Sequence, residues 1–197
     1  IDEAHERGIQ IDMLLLFTKQ LLQRRPDFKL IIMSATVNEE IFKSYYSSNK
    51  YNFAIVDAGE KPNFPVKEIF LKTPVNKFDN NGVLIRTEPY IQEMVKTAIN
   101  ILKNTERGDI LCFVTGKGEG DEVCQSLHKA LIEINKNANK KLYCTILTGT
   151  TDQETKNYAT KANLYKNHPK GPYERRIVVA TEVAESSITI VGVKYII

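Results

Sequence analysis

The sequence has 197 residues, 42% hydrophobic and 26% charged, which suits a folded globular chain and is too apolar for a disordered one. Lys+Arg 27 against Asp+Glu 24 leaves a net charge of +3, too mild to nominate nucleic acid as a partner by charge alone. No apolar run approaches the roughly 20 residues that span a bilayer, and the opening Ile1–His5 has neither the basic nor the apolar region of a signal peptide, which argues against membrane insertion and secretion. The first residue is Ile rather than Met, so the sequence is expected to be a piece of a longer chain.

In chain order, Ile1 reads as the last residue of a strand, with Asp2–His5 in the turn beyond it. Ile11–Arg25 predicts a helix with Met13, Leu14, Phe17, Leu21 and Leu22 as its apolar stripe. Leu30–Met33 predicts a short strand leading into Ser34, Ala35 and Thr36, with a helix starting near Asn38. Phe53–Val56 and Val66–Leu71 read as strands either side of the turn-rich, two-proline stretch Ala58–Pro65, so a domain boundary is expected near residue 65, giving domains 1–65 and 66–197. Thr73–Pro89, with Asn80-Asn81-Gly82, reads as a loop of the second domain. Glu88–Asn104 carries Ile91, Met94, Val95, Ala98, Ile99 and Leu102 at helical spacing.

Beyond it, Ile110–Val114, Leu142–Leu147, Ile177–Ala180 and Val193–Ile197 predict strands, and Asp121–Asn135 and Asp152–Lys166 predict helices. The Lys/Asn-rich Asn135–Lys141 reads as a solvated loop. Runs such as Ile110–Val114 lack polar alternation, as expected of strands covered on both faces. Alternating strands and helices predict an α/β fold with a mostly parallel sheet. Cys112, Cys124 and Cys144 form no CxxC pair, so neither a zinc site nor a disulfide framework is suggested. Cys112 and Cys144 read as small core residues, and a reducing intracellular compartment fits.

Three stretches carry chemistry. Asp2 and Glu3 are adjacent acids just past a strand, where one can hold Mg²⁺ through water and the other orient an attacking water. The bland alternative is a charged loop entering a helix. Ser34–Thr36 places small hydroxyls at a strand's C-terminal end, where open α/β sheets put their sites. Thr181–Ile190 follows the buried strand Arg176–Ala180 with four hydroxyls in ten residues, donors suited to phosphate oxygens.

In these stretches the chain resembles the DEAH/RHA-type helicases of superfamily 2. Asp2–His5, continued by Glu6 and Arg7, is similar to motif II. Ser34–Thr36 is similar to motif III, Phe113–Gly116 to motif IV, and Arg176–Ile190 to motif V, approached by Pro169, Gly171 and Arg175. The resemblance covers nearly the whole chain. It implies two RecA-like parallel-sheet domains, both incomplete here, binding ATP or another NTP with Mg²⁺ and a nucleic acid, RNA rather than DNA. It implies Asp2 as the water-mediated Mg²⁺ ligand, Glu3 as the base that polarises water, and His5 as the link to the second domain. Ser34, Ala35 and Thr36 would couple hydrolysis to movement. Thr181, Thr115 and Gly116 would face nucleic acid, and Ser187 and Thr189 the nucleotide. Relatives often work with an activator protein, and a cytoplasmic or nuclear site is implied.

Two residues depart from the family pattern. Glu182 replaces a usual Asn and brings a carboxylate to a phosphate track; Val191 replaces a usual Asp that contacts ribose. Both suggest a divergent branch, with a viral origin among the options. No Gly-x-Gly-Lys-[Ser/Thr] phosphate loop and no Arg-rich finger motif occurs, so the 197 residues alone are expected to be inactive. The competing expectation is a catalytically idle helicase-like module that binds nucleic acid or scaffolds. Gly116–Gly120 mimics a phosphate loop but is crowded by Glu119, Asp121 and Glu122. His5, Glu6 and Ile9 lack the second His of a zinc-protease helix. His128 and His168 read as surface residues, and Tyr45 and Tyr46 as packing aromatics.

Overall fold

A computed structural model describes the chain except residues 35–38, 48–53, 58, 60–63, 76–78, 84–87, 135–140 and 183–187. It divides into two compact units, Ile1–Ile69 and Phe70–Ile197.

In the first unit, a short 3-10 turn (Ala4–Glu6) leads to helix α1 (Ile9–Arg24), and α2 (Glu39–Ser47) follows. Ile31–Met33 forms no regular strand, yet it lies alongside Ile1–Ala4 through Ile1 N to Ile31 O at 2.8 Å, Met33 N to Ile1 O at 2.8 Å and Ala4 N to Met33 O at 3.0 Å. The apolar stripe expected for α1 is largely exposed; Leu15 and Thr18 are buried instead. The cause is local. Tyr46 of α2 packs there, its hydroxyl donating to Leu15 O at 3.1 Å and lying 3.3 Å from the Thr18 hydroxyl. Lys19 sits 4.0 Å over the Tyr45 ring and donates to the Tyr45 carbonyl. Residues 54–57 and 65–71 are not strands. Val66, Ile69 and Phe70 are exposed, and an extended segment without a ladder partner is not a β-strand however apolar.

The second unit is α/β. Its elements are α3 (Glu88–Asn104), β1 (Asp109–Phe113), α4 (Lys117–Ile134), β2 (Leu142–Leu147), α5 (Gln153–Thr160), β3 (Arg175–Ala180) and β4 (Val193–Ile196). The sheet order is β2-β3-β1-β4, and every pairing is parallel. β1 and β3 are central, and side chains alternate between two cores. Ile110, Cys112, Ile177 and Val179 pack with Ile91, Met94, Val95 and Ala98 of α3 and Val123, Leu127 and Leu131 of α4. Leu111, Val178 and Ala180 pack with Leu147, Ala159, Ile188 and Ile190. That double covering explains why these strands are apolar at consecutive positions.

Asp152 caps α5, accepting the Thr155 N–H at 2.9 Å. The helix ends at Thr160 rather than running to Lys166; a 3-10 turn (Leu164–Asn167) follows, entered through Asn163 at φ 61°. Gly108 turns the chain from α3 into β1 at φ +100°, and a Cβ there would lie 2.7 Å from Lys194 Cβ. Gly120 lets α4 approach β2, since its missing Cβ would lie 3.0 Å from Ile146 Cγ2.

The cysteine expectation is corrected. Cys124 of α4 and Cys144 of β2 are joined by a disulfide, with Cα atoms 5.8 Å apart. A 20-residue separation gives no local signature; only α4 packing on β2 brings the two together. Cys112 is the buried free thiol, and burial pushes its pKa up to about 12, which leaves it unreactive. His168 is no isolated surface residue either. It packs among Tyr143, Tyr158 and Tyr173 with ring centroids 4.7 to 5.7 Å away.

Candidate functional site

In the first unit the hydrogen bonds along Ile1–Ala4 and Ile31–Met33 bring Asp2–His5 and Ser34 to the same end of two parallel segments. Asp2 is exposed, and its Oδ1 accepts the Glu3 N–H at 2.9 Å. Glu3 adopts φ 50°, ψ 39°, a left-handed conformation that costs a side-chain-bearing residue about 1–3 kcal/mol and so marks a constrained turn. Its carbonyl accepts Glu6 N at 3.1 Å. Ala4 is fully buried beneath the turn, and His5 Nδ1 is buried 3.5 Å from Glu3 Oε2, outside hydrogen-bond geometry.

Arg7, also left-handed at φ 50°, clamps this turn to α1. Its Nε and Nη2 donate to Asp12 Oδ1 and Oδ2 at 2.7 and 3.2 Å, and the hydrogen bond holds the Asp12 carboxyl below its ordinary pKa. A cavity of about 380 Å³ between α1 and α2 is lined by Arg7, Asp12, Leu15, Ile41 and Phe42, but neither Asp2 nor Glu3 borders it. Ala35 and Thr36 lie outside the described residues.

In the second unit the register aligns Phe113 with Ala180 and Leu147 with Ala180, so three strands finish at one edge. The ladder runs on through Val114 N to Ala180 O at 2.9 Å and Thr181 N to Leu147 O at 3.1 Å. Thr115, Gly116 and Thr181 therefore gather at the C-terminal edge, where α/β sheets place ligands. Thr181 is 8% exposed, Thr115 is exposed, and a Cβ at Gly116 would meet open space. Thr189 projects to solvent between the half-buried Ile188 and Ile190. Ser187 lies outside the described residues. Glu182 and Val191 are exposed.

The donors at Thr115 are engaged. Glu119 Oε2 accepts the Thr115 N–H at 2.8 Å, the Thr115 hydroxyl at 2.7 Å and the Tyr90 hydroxyl. Glu119 thus ties the start of α4 back to Thr115, and Lys117–Gly120 forms the first turn of that helix rather than a phosphate loop. Burial pushes the Glu119 carboxyl up, and the Tyr90 and Thr115 hydrogen bonds outweigh it, leaving a pKa below the ordinary value. Sequence reasoning missed Thr148, Thr150 and Thr151, which share this edge. Thr148 N donates to Thr151 Oγ1 at 2.8 Å, and the Thr148 and Thr150 hydroxyls lie 3.3 Å apart. The signal was present, since Thr148-Gly149-Thr150-Thr151 follows the apolar run Leu142–Leu147 as Ser34 follows Leu30–Met33.

No protein-family profile matches the chain. Individual proteins do, along its whole length. A protein of Acanthamoeba polyphaga mimivirus named as ATP-dependent RNA helicase L540 is 35% identical over 100% of this chain. ATP-dependent RNA helicase HrpA of Borreliella burgdorferi is 34% identical over 100% of it. Over its whole length the chain is thus similar to DEAH-type RNA helicases. The crystal structure of the E. coli DExH-box NTPase HrpB superposes on 98% of this chain with a TM-score of 0.66 and 25% identity, and the shared architecture is the α/β, RecA-like one. The chain spans 25% of the mimivirus relative, 21% of the Borreliella relative and 20% of the E. coli one. Among the described residues no helix is long and apolar enough to cross a membrane.

Proposed function

We propose that this chain is the part of an ATP-dependent RNA helicase that manages the attacking water and grips the strand. The observation that carries the proposal is the parallel pairing of Ile1–Ala4 with Ile31–Met33, which sets the Asp2–Glu3 acids beside Ser34. RNA is favoured over DNA by the names of the relatives. An activator protein, a cytoplasmic or nuclear compartment and a viral source belong to the same proposal, as does division into domains 1–65 and 66–197.

Phosphoryl transfer asks a protein mainly for positioning and charge neutralisation. Asp2 suits a hydrated Mg²⁺, an ion that takes one or two carboxylates and fills its remaining positions with water and phosphate oxygens. Bound there, the ion would neutralise phosphate charge. Glu3 takes the proton of the attacking water, and His5 carries the nucleotide state onward from the adjacent turn. Ser34, Ala35 and Thr36 couple turnover to movement. Ser187 and Thr189 meet the nucleotide. Thr181, Gly116 and, once Glu119 releases its donors, Thr115 meet phosphates of the strand, contacts that grip without reading sequence.

Glu3→Gln in the whole protein that carries this chain tests the proposal. RNA-stimulated ATP hydrolysis falls by about 10²–10⁴-fold, the worth of a general base, while RNA binding persists. Unchanged turnover removes Glu3 from the mechanism. A wild-type protein that binds RNA without turnover transfers the chain to an idle binding module. The 197 residues alone, which contain no Gly-x-Gly-Lys-[Ser/Thr] loop, are expected to show no turnover in the same assay.

A further inference from the structure

Among the described residues Arg176 is the largest fully buried side chain, at 0% exposure, in a strand whose following residues are all apolar. A buried guanidinium persists only when nearly all its donors are matched. Its Nη1 donates to three carbonyls near the C-terminus of α5: Tyr158 at 3.0 Å, Ala159 at 2.9 Å and Lys161 at 3.1 Å. Those oxygens are otherwise orphaned where a helix stops, and a cation is favoured there. Its Nη2 lies 2.9 Å from Asp109 Oδ2 and donates to the Val191 carbonyl at 2.6 Å.

Asp109 completes the assembly. Its Oδ1 accepts the Tyr165 hydroxyl at 2.9 Å and the Arg176 N–H at 3.2 Å, and its own N–H donates to Gly192 O at 3.2 Å. Val191 N donates to Thr160 O at 2.9 Å. Val191 is therefore held at both its N–H and its C=O. Two residues earlier stands exposed Thr189, flanked by Ile188 and Ile190, which dip into the core.

We infer that Arg176, oriented by Asp109, is a positioning residue: it pins Val191 to the end of α5 and so fixes where Thr189, two residues earlier, stands. An apolar residue of similar volume would fill the space but leave Val191 O and the α5 carbonyls unpaired. The role given to Thr189 rests on the proposed function; the pinning of Val191 does not.

Arg176→Lys in the whole chain separates positioning from bulk stability, since a lysine still offers Asp109 a cation but cannot span both carbonyl sets. Amide hydrogen exchange at Val191 quickens about tenfold or more, while Cys112 and Val179 amides change less than about threefold. Equal acceleration at all three positions overturns the inference and leaves Arg176 a general core residue. If the lysine variant does not fold, the wild-type chain decides by NMR. Separate, slowly exchanging Arg176 Nη1 and Nη2 protons support the pinning, and one averaged signal overturns it. In the whole protein, Arg176→Lys raises the KM for ATP about fivefold with kcat within about twofold, the pattern of lost ground-state and transition-state binding together. A wild-type protein without ATP turnover refutes the proposed function alone, and the amide comparison still judges the pinning.

Discussion

Glu119→Ala removes in one step the acceptor of the Thr115 N–H, the Thr115 hydroxyl and the Tyr90 hydroxyl. Losing a hydrogen bond to a charged acceptor costs about 1.5–3 kcal/mol. The side chain is only half-buried, so solvent takes up part of the difference. A net loss of about 2 kcal/mol follows, worth about 1 M in urea midpoint at a slope near 2 kcal/mol/M. The pH dependence has a definite sign. The folded-state pKa of Glu119 is depressed, so its stabilisation is complete above the ordinary carboxylate range and is lost as pH falls through the lowered value. The gap between wild type and variant is widest near neutral pH and closes in acid. Binding of a labelled single-stranded RNA moves the other way, tightening about twofold to fivefold as a negative charge leaves Thr115 and Gly116. Coincident urea midpoints at neutral pH, or a gap that persists in acid, would refute the reasoning about Glu119. Weaker RNA binding by a folded variant would refute the placement of Thr115 on the strand path.

Gly108→Ala forces a Cβ to 2.7 Å from Lys194 Cβ at φ +100°, so thermal denaturation should show a loss of about 3 kcal/mol from strain and overpacking together; an unshifted melt contradicts the described turn. Reduction of Cys124–Cys144 reopens a loop closed across a separation of 20 residues, a loss of about 3 kcal/mol by chain entropy. Urea unfolding with and without a phosphine reductant measures it, and a Cys124→Ser chain that still responds to reductant argues against this pairing.

The strands of the second unit were legible because both faces of β1 and β3 are covered, which leaves consecutive apolar residues between polar turns. Glu88–Asn104 was legible to its ends because its stripe and its packing face coincide. The α1 stripe misled because apolar spacing shows which face could be buried, and only α2 decides which face is covered. Ser34 stood out as a candidate after the apolar run Leu30–Met33, and by the same logic the overlooked Thr148, Thr150 and Thr151 could have been read after Leu142–Leu147, whereas Asp2 and Glu3 follow only Ile1 and stood out as adjacent acids. Arg176 was legible as the first residue of a buried strand but not in its partners, since only strand alternation in three dimensions sends Arg175 to Thr105 and Gly108 and Arg176 into the core beside Asp109. The Glu119 tie was half legible. The acids after Gly116 read as unfavourable to phosphate, but which donors they would occupy depends on Tyr90 arriving from α3.

The tyrosine cluster gives the molecule an optical character of its own. The chain has nine tyrosines and no tryptophan, so its near-ultraviolet emission is tyrosine emission. Tyr143 lies with its ring centroid 5.2 to 6.1 Å from those of Tyr158, Tyr165 and Tyr173, close enough for excitation to hop between them before it is emitted. Tyr45 and Tyr46 form a separate pair 5.1 Å apart in the first unit. Homotransfer within the Tyr143 cluster therefore lowers the emission anisotropy of the folded chain, and Tyr143→Phe, which takes the hub out of the cluster, raises it without any label.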